Sequence, residues 1–495
     1  MATAISSISF SLLISALWGS LFILCFSRKG YALDGGLTSA DTHFHSLHIN
    51  SLLPDTVCKP SATGHRKRAS SLKLVHRRGP CSRLKVDKAS APNIAQILSE
   101  DQSRVNSIHS RLKLNSGIQS LQHPEATLQG NAGQLEDSEV SLPAKSGSSL
   151  GTGNYIVVVG LGKPKTDYSL VFDTGSDITW TQCKPCVRSC YPQQENLFDP
   201  KSSTTYKNVS CNSPQCSQLT SATGNVPDCS GGTCVYGIQY GDRSYSVGFF
   251  ATETLTLKTD ELPDILFGCG QKNEGLFGEA AGLLGLGRNK LSLVSQTASK
   301  YGEYFSYCLP TRSSSSGYLT FGKGGQSNAL KLTPMTANPK GPSFYFIDVK
   351  GIKVGGQTLS IPQSVFSTPG TIIDSGTVIT RLPPAAYNAM RTTFRQQMKN
   401  YTMTRPLSIL DTCYDFSNYT TVSIPKISFI FAPAVEVPIA PQGILYGSLS
   451  QLCLAFAGNG DASDPGIFGN IQQQTLEVAY DVAGGSLGFG PGGCS

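Results

Sequence analysis

The sequence predicts an all-β fold of two pseudo-symmetric lobes with a few short helices, and three observations carry that prediction. Glycine (51 residues) and proline (28) are abundant while charged residues make up only 15% of the chain, which suits strands and turns better than long helices. From Asn154 onward, short β-rich runs (Tyr155–Val159, Ser169–Phe172, Thr252–Leu257) are bounded by Gly, Pro or Asp, and helical stretches are few, about 292–301 and 384–399. A motif also recurs: Val171-Phe-Asp-Thr-Gly-Ser176 returns as Ile372-Ile-Asp-Ser-Gly-Thr377. Each copy is followed, roughly a hundred residues later, by two apolar residues and a glycine, Leu283-Leu284-Gly285 and Ile467-Phe468-Gly469. Two copies of one unit imply two similar lobes, each supplying one Asp-bearing loop.

The length of 495 residues exceeds what one ordinary core needs and leaves room for segments outside the lobes. We read residues 1–32 as a targeting segment, 33–145 as a propeptide, 146–330 as an N-terminal lobe with a Cys-rich insertion at 183–234, and 331–495 as a C-terminal lobe. Residues 8–26 are apolar and free of charge, with a cleavage site expected near Ala32. The secretory pathway follows as the expected route, ending outside the cell or in the vacuole. An uncleaved anchor and a plastid transit peptide are the alternatives. In the second segment, 92–113 has helical apolar spacing (Ile94, Ile97, Leu98, Val105, Ile108), and no strand periodicity is read between 34 and 145.

Charge and histidine are both lopsided. Residues 1–145 hold 16 Lys/Arg against 10 Asp/Glu, and residues 146–495 hold 24 against 23, so the net charge of +7 belongs mostly to the first third. The lobes carry no basic footprint for nucleic acid. All seven histidines (His43, His45, His48, His65, His76, His109, His123) precede residue 124, which excludes His-dependent nucleophilic catalysis and His-ligated zinc in the lobes. No metal and no cofactor are expected.

Twelve of the 15 cysteines follow residue 180: Cys183, Cys186, Cys190, Cys211, Cys216, Cys229, Cys234, Cys269, Cys308, Cys413, Cys453 and Cys494. An even number, crowded between 183 and 234, reads as disulfides formed in an oxidising compartment. A redox or zinc site at Cys183-Lys-Pro-Cys186 is the alternative, weakened because no helix-forming segment follows. Connectivity is open, with Cys413–Cys453 the one pair suggested.

The duplicated loops carry the chemistry. An apolar pair draws the strand into the core and lifts Asp173 or Asp374 to its tip, and Gly175 or Gly376 lets the backbone turn sharply there. Flanking hydroxyls (Thr174, Ser176, Ser375, Thr377) can hold the carboxylate by hydrogen bonds. Two carboxylates brought into contact cannot both ionise cheaply, so the pair holds one proton. The ionised member can then act as general base on a shared water while the other donates to a carbonyl. Leu284-Gly-Leu-Gly-Arg288 lacks the third glycine and the βαβ setting of a nucleotide loop.

The strings FDTGSDITW, IQYGDRSYSVGFF, IIDSGTVITRLP and GIFGN resemble the pepsin-like aspartic protease family, in its plant nepenthesin-type branch, over about residues 150–495. Gly-Asn-Tyr-Ile, Phe-Gly-Cys-Gly-Gln and Leu-Gly-Leu-Gly-Arg are shared with the chloroplast nucleoid DNA-binding protease and its secreted relatives. The resemblance implies a bilobed β fold with a deep cleft, an aspartic endopeptidase acting on extended peptides in acid, and a monomer. It implies Asp173 and Asp374 as the catalytic pair. Ser176 and Thr377 become their hydroxyl partners, and Thr174 and Ser375 the residues that interlock the loops. Tyr240 and Gly241 fall in a flap, and Trp180 becomes the partner of Tyr240. The Cys-rich insertion also belongs to this branch, as a stapled surface loop.

The basic 33–145 segment preceding an anionic site suggests an inhibitory propeptide, with a Lys or Arg on the Asp pair and the histidines as an acid trigger. Leu74-Val-His-Arg-Arg-Gly-Pro-Cys81 resembles propeptides of this branch. Weak nucleic-acid binding through the basic run 66–88 is a rival reading, and an inactive, inhibitor-like member is another. Sequons at Asn208, Asn400 and Asn418 are candidate glycosylation sites.

Overall fold

Two strands that end in aspartate organise the molecule. The computed structural model describes residues 43–52, 57–59, 71–84, 93–114 and 155–494, apart from 188, 241–243, 276, 312–314 and 324–328. The targeting segment, His65, His123 and Gly241 lie outside the described residues, as do 66–70 and 85–88 of the basic run.

Strand Thr166–Asp173 is buried from Tyr168 to its end, and Gly282–Gly285 runs parallel to it, pairing Leu283 with Val171, Leu284 with Phe172 and Gly285 with Asp173. The second half repeats the arrangement. Thr371–Ile373 leads into Asp374, and Gly466–Phe468 pairs parallel to it, Ile372 with Ile467 and Ile373 with Phe468. Every apolar residue of these pairs is buried, which fits a strand covered on both faces. The recurring apolar-apolar-Gly string is therefore the hydrogen-bonded neighbour of each Asp strand.

The two halves share a floor. An antiparallel ladder runs from Tyr155–Leu161 through Ser71–His76 and Ser316–Phe321 to Tyr304–Cys308, then on to Leu476–Asp481, Ser486–Pro491 and Lys331–Thr336. Its aromatic residues pack together under the Asp loops. Phe305 stacks on Tyr480 at 4.4 Å between centroids, and Phe172 meets Tyr307 edge-on at 5.0 Å. Helices are short except Pro384–Gln397 and Ile94–Leu114; the stretch expected at 292–301 is two single turns, Leu293–Gln296 and Ala298–Tyr301.

The 34–145 segment differs from expectation. It contributes two strands, Phe44–His48, paired with Thr421–Pro425, and Ser71–His76, inserted into the floor between Tyr155–Leu161 and Ser316–Phe321. Leu72 and Leu74 are buried and Lys73 is exposed, an alternation of period two that the surrounding basic residues disguise. Arg77 is buried as well, so this part of the basic run is built into the fold. The helix expected at 92–113 forms at Ile94–Leu114.

Seven disulfides are present among the described residues. Cys183 joins Cys269, Cys186 joins Cys190, Cys211 joins Cys229, Cys216 joins Cys234, Cys308 joins Cys494 and Cys413 joins Cys453. Cys183 and Cys186 thus have different partners, and Cys183 ties the insertion to the strand Asp260–Glu274 outside it. A seventh pair, Cys58–Cys81, lies in the N-terminal segment and was not expected. The sequon residues Asn208, Asn400 and Asn418 are all exposed.

Candidate active site

The Asp loops face each other across the junction of the halves. Thr174 N donates to Ser375 Oγ (3.0 Å) and Ser375 N donates to Thr174 Oγ1 (2.9 Å), a reciprocal lock between loops 201 residues apart. Gly175 N donates to Asp173 Oδ1 and Gly376 N to Asp374 Oδ1, both at 3.0 Å. A Cβ on Gly175 would strike the Asp374 carboxylate, and one on Gly376 would strike that of Asp173. Only glycine permits this approach.

Thr377 Oγ1 donates to Asp374 Oδ2 at 2.6 Å. The matching Ser176 hydroxyl is near enough to favour the ionised form of Asp173 but closes no well-formed hydrogen bond. From below, Gln473 Nε2 donates to the Asp374 carbonyl (3.2 Å) and Asn470 Nδ2 to the Ser375 carbonyl (2.9 Å).

Both carboxylates are buried, and one guanidinium holds them together. Arg104 Nη2 donates to Asp173 Oδ1 (2.7 Å) and Asp374 Oδ1 (3.0 Å), Nε donates to Asp374 Oδ2 (3.0 Å), and Nη1 to Asp173 Oδ2 (3.3 Å). Burial alone would disfavour ionised Asp173, but the charge and hydrogen bonds of Arg104 outweigh it and lower the pKa. Asp374 goes the other way: burial and the neighbouring Asp173 charge raise its pKa despite Arg104 and Thr377. The two members of the pair are therefore pushed apart.

Tyr240 follows the strand Thr233–Gln239 at a hairpin, where its N–H donates to the Ser244 carbonyl (2.8 Å). Trp180 Nε1 donates to Tyr240 Oη at 2.8 Å, and both rings meet Phe277 edge-on. Tyr240, Asp173, Gly175 and Ser176 line one small cavity with Arg104, Ile108 and Arg111. Most of the site residues read from the sequence thus converge on one place.

Comparison with known proteins places this geometry. An aspartyl protease family protein of Arabidopsis thaliana is 52% identical over 481 residues, 96% of this chain and 98% of that protein. The chain belongs to the aspartyl protease family. It is an aspartic endopeptidase, a hydrolase of peptide bonds. Aspartyl protease AED1 of Arabidopsis thaliana is 47% identical across 95% of this chain and 96% of its own length. Nepenthesin-2 of Nepenthes gracilis is 39% identical across 70% of this chain and 78% of its own. Family models described as xylanase inhibitor N-terminal and C-terminal match residues 155–323 and 344–491. The fold is similar to the crystal structure of edgp (TM-score 0.55, 23% identity, covering 68% of this chain and 91% of that one). Soybean basic 7S globulin is also similar (TM-score 0.54, 22% identity, 68% and 91%).

Several residues of the protease's cleft escaped sequence reasoning. The cleft helix Ile94–Leu114 supplies Arg104, and packs Leu98 against Val378 and Ile379, and Val105, Ile108 and Leu112 against Phe344, Phe346, Ile372 and Ile467. Its Arg111 lies over the Phe344 ring at 4.9 Å. Asp177, four residues beyond Asp173, is buried and accepts from Asn289 N at 3.0 Å; burial pushes its pKa up to about 6. The amphipathic spacing of 94–108 was the available signal for the helix, but it did not single out Arg104.

Proposed function

We propose that this chain is the zymogen of an acid-acting aspartic endopeptidase, in which the helix Ile94–Leu114 closes the cleft and Asp173 and Asp374 are the catalytic pair. One observation carries the reading: the Arg104 guanidinium donates to both carboxylates at once. Its Nη2 stands where a single water would bridge them.

Once the helix leaves, the Arg104 guanidinium no longer neutralises the pair, and the two carboxylates share one proton. We assign that proton to Asp374, where burial and the neighbouring Asp173 charge disfavour ionisation, and take Asp173 as the base. A water between them loses a proton to Asp173 as its oxygen bonds to the peptide carbonyl carbon. Asp374 donates its proton to the carbonyl oxygen. The tetrahedral product then expels the amine, which takes a proton from Asp173, while a hydroxyl of the diol returns a proton to Asp374 and leaves a carboxyl group. Tyr240, hydrogen-bonded to Trp180, caps the cleft and shields this chemistry from bulk water. Seven disulfides support a secretory route through an oxidising compartment.

The test is hydrolysis of a protein substrate by the processed enzyme, with and without pepstatin, beside Asp173→Asn and Asp374→Asn processed by an added protease. Each substitution is expected to lower kcat by about 10²–10⁴-fold or more while the melting transition persists. Undiminished turnover in either variant would overturn the assignment.

A further inference from the structure

The cleft helix presents a second carboxylate to the catalytic unit, one turn before Arg104. Asp101 Oδ1 accepts from Val378 N (2.6 Å), and Oδ2 accepts from Ile379 N (3.1 Å) and Arg381 Nη2 (2.9 Å). The side chains of Asp101 and Arg381 are 0% and 1% exposed. Arg381 Nη1 donates to the Ile379 carbonyl at 2.8 Å, while its Nε has no hydrogen-bond partner among the described residues.

Three N–H groups therefore converge on one carboxylate, and all three belong to the C-terminal half. They follow directly on the Asp374–Thr377 loop. Asp101 is the only carboxylate ion-paired to Arg381 among the described residues. When the helix departs, a guanidinium and two main-chain donors are left aimed at an empty position inside the cleft. A buried cation without its counter-ion is costly, so a replacement anion binds there with a corresponding gain.

We propose that Arg381, with the N–H groups of Val378 and Ile379, forms a carboxylate-binding subsite of the mature enzyme that selects a Glu or Asp side chain of the substrate. The inference rests on the zymogen reading above. Asp101 lies three positions before Arg104 on the helix, about 4.5 Å of axial rise. An extended peptide advances about 3.3 Å per residue, so the acidic residue sits one or two positions from the bond cleaved.

The test uses processed enzyme and pairs of peptides identical except for Glu or Gln, placed in turn at each of the three positions on either side of the scissile bond. At about pH 5.5 a free Glu is ionised. At one position kcat/KM is expected to favour Glu by about tenfold or more, the worth of a charge-assisted hydrogen bond set. Arg381→Gln is expected to bring that ratio close to one, and Arg381→Lys to restore part of it. Equal rates for Glu and Gln at every position in the unsubstituted enzyme overturn the proposal without recourse to a variant. A preference that survives Arg381→Gln overturns it too. In both cases cleavage of the Gln peptides leaves the protease reading standing. Failure to cleave any peptide refutes that reading and this inference with it.

Discussion

Replacing Arg104 with Gln in the full-length precursor removes the one cation that touches both carboxylates among the described residues. Four N–H···O contacts at 2.7–3.3 Å and two ion pairs disappear. Removing one partner from a buried ion pair costs about 3–5 kcal/mol, a rise in the open population of roughly two to three and a half orders of magnitude. That is a ceiling, because the abandoned carboxylates take up a proton and recover part of the loss. The apolar contacts of Leu98, Val105, Ile108 and Leu112 also remain. The sign with pH follows from Asp173. Its pKa is depressed in the closed form, so its contribution to closure is complete above the ordinary carboxyl value, about 3.9, and fades as pH falls below it. Asp374, with a raised pKa, opposes this, so the guanidinium matters most where both groups are ionised. The assay is the first-order rate of self-activation near pH 6, above the carboxyl range, followed with a fluorogenic peptide at several protein concentrations. Arg104→Gln is expected to activate at least about tenfold faster than the unsubstituted precursor, and the gain is expected to shrink towards pH 3. Equal activation rates near pH 6 would refute the view that this guanidinium holds the dyad closed.

Two further outcomes are expected. His76 is half-buried beside Tyr155, and desolvation, then the charges of Arg78 and Arg77, push its pKa down to about 3. A depressed histidine favours the docked strand above its free pKa of about 6.5 and loses that contribution as pH falls towards 3, up to about 5 kcal/mol. His76→Gln should therefore move the acid release of strand Ser71–His76, read by hydrogen exchange, to lower pH; an unchanged midpoint contradicts this. Tyr240→Phe leaves Trp180 Nε1 buried without its acceptor, at a cost of about 1–3 kcal/mol. A double-mutant cycle with Trp180→Phe, followed by thermal unfolding, should show coupling between the two positions, and additive losses would deny it.

How much of this was legible depended on repetition. Asp173 and Asp374 stood out because each sits in the same apolar-apolar-Asp frame and each has its Leu-Leu-Gly or Ile-Phe-Gly partner, and the register pairs those strings residue for residue. Tyr240 and Trp180 were legible only through family resemblance; alone they look like any half-buried aromatics. Arg104 carried no local mark. Its partners are 69 and 270 residues away, and an arginine on a polar helix ordinarily faces water. Asp101 and Arg381 were hidden for the same reason, since burial of an ion pair is decided by tertiary packing. Strand Ser71–His76 was missed because basic neighbours masked the Leu72, Leu74 alternation.

The Cys58–Cys81 bond has a practical consequence for maturation. A nick anywhere from residue 59 to residue 80 severs the backbone without separating the pieces, since the bond bridges the wound. Shedding the helix that shields the cleft needs scission downstream of it, because Cys81 and residues 94–114 both lie on the C-terminal side of such a nick. Electrophoresis with and without thiol would tell these routes apart, because only the reduced lane would resolve the nicked fragments.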